Sequence, residues 1–167
     1  GVGSRMKSEK AKQFLEVGGH EVLYYSLRTF NEHPEVDEVV LVTKAEFMEH
    51  CRKELVERYQ FTKVTHICEG GKERYDSVYA GLCECRDCEY VLIHDGARPF
   101  LTEKILEDTY AAVRQYRACV AAVQSKDTVK ISDGEGFALS TPDRRNVWNI
   151  QTPQVFETSL RLYIAVG

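Results

Sequence analysis

One short stretch constrains the possible fold and function of this chain more than any other, because an apolar run ends there in a charged loop. The run is Tyr90 to Ile93, and its length and apolar character predict a buried strand. His94, Asp95 and Arg98 follow it within the sequence HDGARPF. Open α/β sheets bind ligands at the carboxyl ends of their strands, so a carboxylate and a guanidinium group are placed at one crevice. A surface turn closed by a local ion pair between Asp95 and Arg98 is the simpler alternative.

Apolar runs alternate with helical patterns along the rest of the sequence, as they do in α/β folds. The sequence predicts a helix that starts near Gln13, a strand at 36–43, a helix at 46–59, strands at 63–68 and 90–93 on either side of a helix at 76–83, a helix at 102–116 and a strand at 118–124. Thr102 before Glu103 fits a helix N-cap. The prediction is therefore a mostly parallel sheet covered by helices, in a single domain over residues 1–167.

The pattern changes at residues 127–148, where Asp-Gly and Glu-Gly turn signals separate short alternating segments. This predicts a projecting β-hairpin, which we call the arm. A hairpin too small to bury its own face packs on other structure, and a partner subunit is one candidate. An edge hairpin on the same sheet is the alternative.

Charge and cysteine content narrow the classes of function. The net charge of -4 argues against a nucleic-acid footprint, although local basic clusters can bind small anions. No apolar run has the length of a membrane helix and none resembles a signal peptide, so we expect a cytoplasmic protein. The 6 cysteines are then expected to be reduced thiols, and the group Cys83, Cys85 and Cys88 is a candidate metal site without an evident fourth ligand.

Two glycine-rich segments suggest anion binding. Gly1 and Gly3 precede Arg5 and Lys12, and such a loop lets backbone N–H groups approach several phosphates. This segment fits neither the dinucleotide fingerprint nor the P-loop pattern, and a flexible tail is the alternative.

The second segment, Gly70-Gly71, follows a predicted strand and leads into a helix. Lys72 and Arg74 in it fit either ligand contacts or solvated loop charges. Asp76 and Ser77, near the helix start, fit either capping of the helix or contact with a ligand, and capping is expected for one of them.

Several motifs occur together in one order. They are GxGxRM with KQF (1–6 and 12–14), GGxxRxDSV (70–78), HDGARPF (94–100), DTVK (127–130), DR (143–144) and QTPQVF (151–156). This set resembles the 2-C-methyl-D-erythritol 4-phosphate cytidylyltransferase family, and the resemblance covers nearly the whole chain.

The resemblance implies a cytoplasmic enzyme of non-mevalonate isoprenoid synthesis with a Rossmann-like nucleotidyltransferase fold. It would join CTP to 2-C-methyl-D-erythritol 4-phosphate and release pyrophosphate. Family members use a divalent cation, usually Mg²⁺, and form homodimers through their β-arms. No nucleic acid or membrane partner is implied.

The resemblance also implies roles for individual residues. Arg5 and Lys12 would be catalytic, and Asp95 would hold the metal. The nucleotide would contact Gly1, Gly3, Gly71, Lys72, Arg74 and Ser77. The polyol phosphate would contact Arg98, Thr128 and Arg144, the last two from the arm. His94 is expected to be structural, because a phosphate monoester is largely dianionic at neutral pH and needs no base to become a nucleophile.

The sequence also departs from the family pattern. Family members carry a strand before the position of Gly1 and a further segment after the position of Gly167, so we expect that the natural chain has both. Ribitol 5-phosphate cytidylyltransferases are the main alternative, and Gly96-Ala97, Asp76 and Asp143 favour methylerythritol phosphate instead. A non-catalytic nucleotide-binding protein would be expected to have lost Arg5, Lys12 or Asp95.

Overall fold

A computed structural model describes residues 11–85 and 87–160. In these ranges the helices are α1 (Val22–Glu32), α2 (Ala45–His50), α3 (Arg74–Glu84) and α4 (Glu103–Tyr116). The strands are β1 (Glu16–Val17), β2 (His20–Glu21), β3 (Val39–Thr43), β4 (Val64–Glu69), β5 (Tyr90–Ile93), β6 (Ala118–Gln124), β7 (Ile131–Ser132), β8 (Ala138–Ser140) and β9 (Trp148–Glu157). Short 3₁₀ turns occupy Lys12–Phe14, Arg144–Asn146 and Thr158–Leu160. Helices and strands alternate from α1 to β6, so the predicted α/β class is confirmed.

The middle of the chain follows the sequence prediction closely. Strands β5 and β6 have the predicted bounds. Helix α4 begins after the predicted N-cap, and the Thr102 hydroxyl accepts a hydrogen bond from the backbone N–H of Ile105 at 3.3 Å. The helix ends at Tyr116, and the next residue, Arg117, has a left-handed φ of 68° that stops further helical hydrogen bonding.

Two helix predictions differ from the structure. The helix expected near Gln13 is only a 3₁₀ turn, and α1 starts at Val22. Between them Gly18 and Gly19, with φ of 60° and 84°, form the turn that joins β1 to β2; positive φ at both positions is what a tight hairpin turn requires. The helix expected at 46–59 begins as α2 but continues as a π-helix over Cys51–Glu57. Hydrophobic spacing does not distinguish these helix types, and the π-helical segment still buries Cys51 and Leu55.

The strands form a parallel pair and a three-stranded sheet. Strands β3 and β4 pair in parallel, as expected for a βαβ unit. The second sheet has the order β5-β9-β6, with β9 antiparallel to both neighbours. Strands β5 and β6 therefore run in the same direction, with an antiparallel strand between them. Strand β9 is not among the strands predicted from the sequence; Pro153 and its polar neighbours are unfavourable in a central strand.

Three apolar clusters hold the helices against these strands. The largest joins α1, β3 and the π-helix, and it contains Phe14, Leu23, Leu27, Leu41, Cys51, Leu55 and Phe61. A second joins Phe30 of α1 to Leu101 and Leu106 at α4. The third places Leu82 of α3 against Val91 of β5 and Phe156 of β9. The second and third clusters flank the carboxyl end of β5, so they position the loop that begins at His94.

The predicted arm contains a short antiparallel hairpin of β7 and β8. Its apolar side chains are exposed, with Phe137 at 71% and Leu139 at 68%. Beyond the hairpin, the Gln124 side chain donates to the Arg145 carbonyl at 2.8 Å and ties the base of the arm to β6. The contact of the arm with a partner subunit stays a prediction.

None of the helices in residues 11–85 and 87–160 combines the length and the apolar character that a membrane crossing requires.

Candidate active site

The loop after β5 places one carboxylate between two guanidinium groups. Oδ1 of Asp95 accepts hydrogen bonds from Nε and Nη2 of Arg74 at 3.2 and 3.1 Å. Oδ2 accepts from Nε of Arg98 at 3.1 Å. The ion pair between Asp95 and Arg98 that the simpler alternative proposed is therefore present, but Arg74 at the start of α3 joins it. Two positive charges against one negative charge leave the cluster with a net positive charge, which suits an anionic ligand.

The surroundings of Asp95 keep its carboxylate ionised. Burial alone would raise the pKa, but the hydrogen bond from Arg98 and the charge and hydrogen bonds of Arg74 outweigh it. The pKa of Asp95 is therefore lowered from its ordinary value. The side chain remains 36% exposed, so an ionised oxygen ligand is accessible from solvent.

His94 is held by hydrogen bonds on both ring nitrogens. Nε2 lies 3.1 Å from the Arg98 carbonyl and Nδ1 lies 3.2 Å from the Thr152 hydroxyl. Burial lowers the pKa of the imidazole, so the ring is neutral at pH 7. In the tautomer that fits, Nε2–H donates to the carbonyl and the hydroxyl donates to Nδ1. This geometry agrees with the structural role expected for His94.

Strand β9 contributes contacts that the sequence analysis missed. The Thr152 hydroxyl accepts from the Asp95 backbone N–H at 3.3 Å. Gln151 Oε1 accepts from Nη1 of Arg98, and Gln154 Oε1 lies 3.5 Å from Nη2 of Arg74. The QTPQVF motif was the available signal, but without β9 as a strand nothing in the sequence placed it beside the loop after β5.

The Gly70-Gly71 loop packs closely against the first turn of α3. A Cβ atom on Gly71 would lie 2.2 Å from Cβ of Asp76, so the loop has no room for a side chain there. The Asp76 carboxylate accepts from the Glu73 backbone N–H at 3.0 Å within a capping box, which confirms the predicted capping role. Ser77 donates to the Glu73 carbonyl at 3.2 Å. Lys72 is exposed beside this turn.

A basic hollow of about 410 Å³ lies at the base of the arm. It is lined by Gln124, Ser125, Lys126, Arg144 and Arg145. The Asp143 carboxylate accepts from the Arg145 backbone N–H at 3.0 Å and from its guanidinium group, so Arg145 rather than Arg144 is the cation that this carboxylate holds. Lys126 is a cation that the sequence analysis did not select. Within the described part of this single chain, neither Arg144 nor the exposed Thr128 has a hydrogen bond or ion pair to the Asp95 cluster.

Comparison with known proteins identifies the family. A model of the family described as 2-C-methyl-D-erythritol 4-phosphate cytidylyltransferase matches residues 1–164. A curated relative of that description from Lachnospira eligens is 49% identical over 160 residues, which cover 96% of this chain and 70% of the relative. One from Clostridium botulinum (strain 657 / Type Ba4) is 47% identical over 163 residues, covering 97% of this chain and 71% of the relative. The chain belongs to the 2-C-methyl-D-erythritol 4-phosphate cytidylyltransferase family.

Solved structures of the family have the same fold. A 4-diphosphocytidyl-2C-methyl-D-erythritol synthase from Anaerococcus prevotii superposes with a TM-score of 0.84 at 36% identity, over 93% of this chain and 67% of that chain. The 2-C-methyl-D-erythritol 4-phosphate cytidylyltransferase from Thermus thermophilus gives a TM-score of 0.74 at 28% identity, over 93% of this chain and 69% of that chain. The resemblance stated from the sequence motifs is thereby confirmed, and so is the Rossmann-like nucleotidyltransferase fold.

The catalytic and nucleotide-binding residues expected near the N-terminus of a cytidylyltransferase fall partly outside the described residues. Gly1, Gly3 and Arg5 lie there. Lys12 begins the 3₁₀ turn whose Phe14 is buried, and its side chain is partly exposed. Lys12 makes no hydrogen bond or ion pair with Asp95, Arg74 or Arg98 among the residues described. Its catalytic role stays a prediction.

The donor set at Asp95 fits a magnesium ion that is bound mainly by its nucleotide. Mg²⁺ prefers oxygen ligands and is often held by one or two carboxylates together with substrate phosphates and water. Within residues 11–85 and 87–160, no three His, Cys, Asp or Glu side chains converge as ligands, so substrate phosphates and water would complete the coordination beside Asp95. Both of its oxygens are bound by arginine, and metal binding would replace one of these contacts.

The cysteine group is not gathered around a common centre. Cys85 donates through Sγ to the Gly81 carbonyl at 3.3 Å, and Cys88 Sγ lies 3.4 Å from the Thr158 hydroxyl. Both pack beside the cluster of Leu82, Val91 and Phe156, whereas Cys83 is exposed. These contacts account for Cys85 and Cys88 as part of the core.

Proposed function

We propose that this protein transfers the cytidylyl group of CTP to 2-C-methyl-D-erythritol 4-phosphate and releases pyrophosphate. Family membership over residues 1–164 carries the proposal. The cationic Asp95 cluster at the end of β5 supports it, because both substrates are anions and the cluster has a surplus positive charge.

The reaction needs positioning and charge more than it needs a base. The phosphate of the polyol has its second pKa near 6, so it is mostly dianionic at pH 7. One of its oxygens forms a bond to the α-phosphorus of CTP, and the bond from that phosphorus to the oxygen of the β-phosphate breaks. Pyrophosphate then leaves. A neutral His94 with both nitrogens hydrogen-bonded is consistent with this scheme.

Negative charge accumulates on the oxygens around the α-phosphorus, so the catalytic groups are cations aimed at those oxygens. We assign this role to Lys12 and Arg5. Asp95 would hold a Mg²⁺ ion, which supplies Lewis-acid stabilisation to the triphosphate when bound.

Nucleotide binding is assigned to the two glycine segments. Gly1, Gly3 and Gly71 would contribute backbone N–H groups, and Ser77 with the main chain of Lys72 would lie beside the cytosine and ribose. Arg74 is bound to Asp95 in the structure, and it would therefore orient the nucleotide loop together with the metal ligand.

Binding of the polyol phosphate is assigned to Arg98, Thr128 and Arg144. Arginine suits this task because its planar group donates two hydrogen bonds to one phosphate. Within the described residues, Thr128 and Arg144 do not contact the Asp95 cluster of their own chain, and the exposed hairpin has apolar side chains for a partner to cover. We therefore assign the two residues to the site of the opposite subunit in a homodimer. The free cysteines fit a cytoplasmic location.

The test is pyrophosphate release by the purified protein with CTP and Mg²⁺. Methylerythritol phosphate and ribitol 5-phosphate are offered in parallel. Release with the first substrate alone is the expected result. Release with ribitol 5-phosphate would show that this polyol phosphate is the acceptor substrate. Release with neither substrate would favour a non-catalytic nucleotide-binding protein.

A further inference from the structure

Gln151 contacts the candidate site, yet the reaction as described assigns it no task. Its Oε1 accepts a hydrogen bond from Nη1 of Arg98. Its own Nε2 lies 3.5 Å from the Asn149 carbonyl, toward which it donates. With the amide nitrogen directed at that carbonyl, the amide oxygen is left facing the arginine.

The Arg98 side chain is therefore hydrogen-bonded to two different parts of the fold. Nε bonds to Asp95 in the loop after β5 at 3.1 Å, and Nη1 bonds to Gln151 on β9. Two fixed points define the orientation of a planar guanidinium group. Among the described residues no hydrogen bond reaches Nη2, and the side chain is 43% exposed. Nη2 therefore remains available to a phosphate.

The chemistry of an amide suits this contact. A neutral acceptor holds the guanidinium group without neutralising its charge, whereas a carboxylate would compete with a bound phosphate for that charge. Asp95 already takes part of the charge of Arg98, so a second anion at position 151 would cancel the attraction for substrate.

We propose that Gln151 is a positioning residue that orients Arg98 toward the phosphate of the polyol substrate. The inference rests on the proposed function, in which Arg98 binds that phosphate. Gln151 itself is not required to touch the substrate.

The test is steady-state kinetics on Gln151→Ala and Gln151→Glu, with Arg98→Ala alone and combined with Gln151→Ala. Gln151→Ala should raise the KM for methylerythritol phosphate roughly fivefold, the size of one typical hydrogen bond. Its kcat and its KM for CTP should stay within about twofold of the wild-type values. Gln151→Glu should raise the same KM further. Gln115→Ala, at an exposed glutamine of α4, is the matched control and should change nothing.

The double variant separates positioning from a merely structural role. If Gln151 acts through Arg98, Gln151→Ala should have almost no effect on the KM once Arg98 is alanine. Equal effects of Gln151→Ala in both backgrounds would overturn the proposal, and so would an unchanged KM in the single variant. Absence of turnover in the wild type would instead show that the proposed function has failed, and the proposal with it.

Discussion

Asp95 determines where the positive charges of the site lie, because Arg74 and Arg98 both form ion pairs with its carboxylate. Its carboxylate fixes Arg74 through Oδ1 and Arg98 through Oδ2, so one side chain sets the orientation of two cations from different elements. Arg74 precedes Asp95 by 21 residues in sequence, and this contact depends on how α3 packs beside β5. The same carboxylate is the one oxygen ligand that a magnesium ion would find among these three residues.

His94 should make the stability of the protein sensitive to mild acid. Burial lowers the pKa of His94 in the folded state, so the unfolded chain takes up a proton first as the pH falls below about 6.5. The unfolded state then binds more protons, and the free energy of unfolding falls until the pH reaches the folded-state pKa. We expect wild type to lose more stability than His94→Gln between pH 8 and pH 5, as measured by urea unfolding. Parallel pH profiles for the two proteins would contradict this expectation.

At the scale of elements, the sequence predicts strands better than it predicts contacts between them. The bounds of β5 and β6 follow from compact apolar runs that can be read directly from the sequence. Strand β9 did not follow, because Pro153 is unfavourable in a strand unless tertiary packing compensates, and here its side chain is fully buried. The split of one predicted helix into α2 and a π-helix also depends on packing, in this case around Cys51 and Leu55.

The same limit applies to the site. The sequence placed Asp95 and Arg98 together because they are three residues apart at a strand end. It could not place Thr152 or Gln151 beside them, since these contacts require the antiparallel register of β9 with β5. Residues that act from a neighbouring strand are therefore the part of this site that only the structure reveals.

The capping box of α3 should contribute measurably to stability. Asp76→Ala removes the acceptor for the Glu73 backbone N–H and should lower the free energy of unfolding by about 1 kcal/mol. Asp76→Glu should retain most of this stabilisation, because glutamate is a preferred residue at this position of a capping box. Urea unfolding provides the measurement, with Asp108→Ala on the exposed face of α4 as control. If the free energy of unfolding falls no more in Asp76→Ala than in Asp108→Ala, the capping box does not stabilise the protein as predicted.

At the scale of the whole molecule, we propose that a second subunit completes the site. Thr128 and Arg144 are assigned to the substrate, yet neither bonds to the Asp95 cluster within the described part of one chain. The hairpin of β7 and β8 exposes Phe137 and Leu139, and a partner that covers them would bury apolar area and stabilise the assembly.

Charged residues introduced on the arm should therefore both dissociate the dimer and weaken binding of the polyol phosphate. Phe137→Asp combined with Leu139→Asp should convert a dimer to a monomer in sedimentation velocity and raise the KM for the polyol phosphate more than about tenfold, an effect typical of losing an arginine contact with a phosphate. Tyr116→Asp, at an exposed aromatic residue on α4, should leave both properties unchanged. A charged arm with normal association and normal KM would mean that the arm is not the interface.

The most direct test of the account is the rate of pyrophosphate release by Asp95→Asn beside wild type, with CTP, methylerythritol phosphate and Mg²⁺ at saturating concentrations. Asparagine keeps the shape of the side chain but loses the charge that orients Arg74 and Arg98 and would hold the metal. We predict a folded variant, by circular dichroism, whose rate is lower by about a hundredfold or more, as expected when a group that stabilises the transition state is lost. A folded variant with the wild-type rate would show that the Asp95 cluster is not the centre of this reaction.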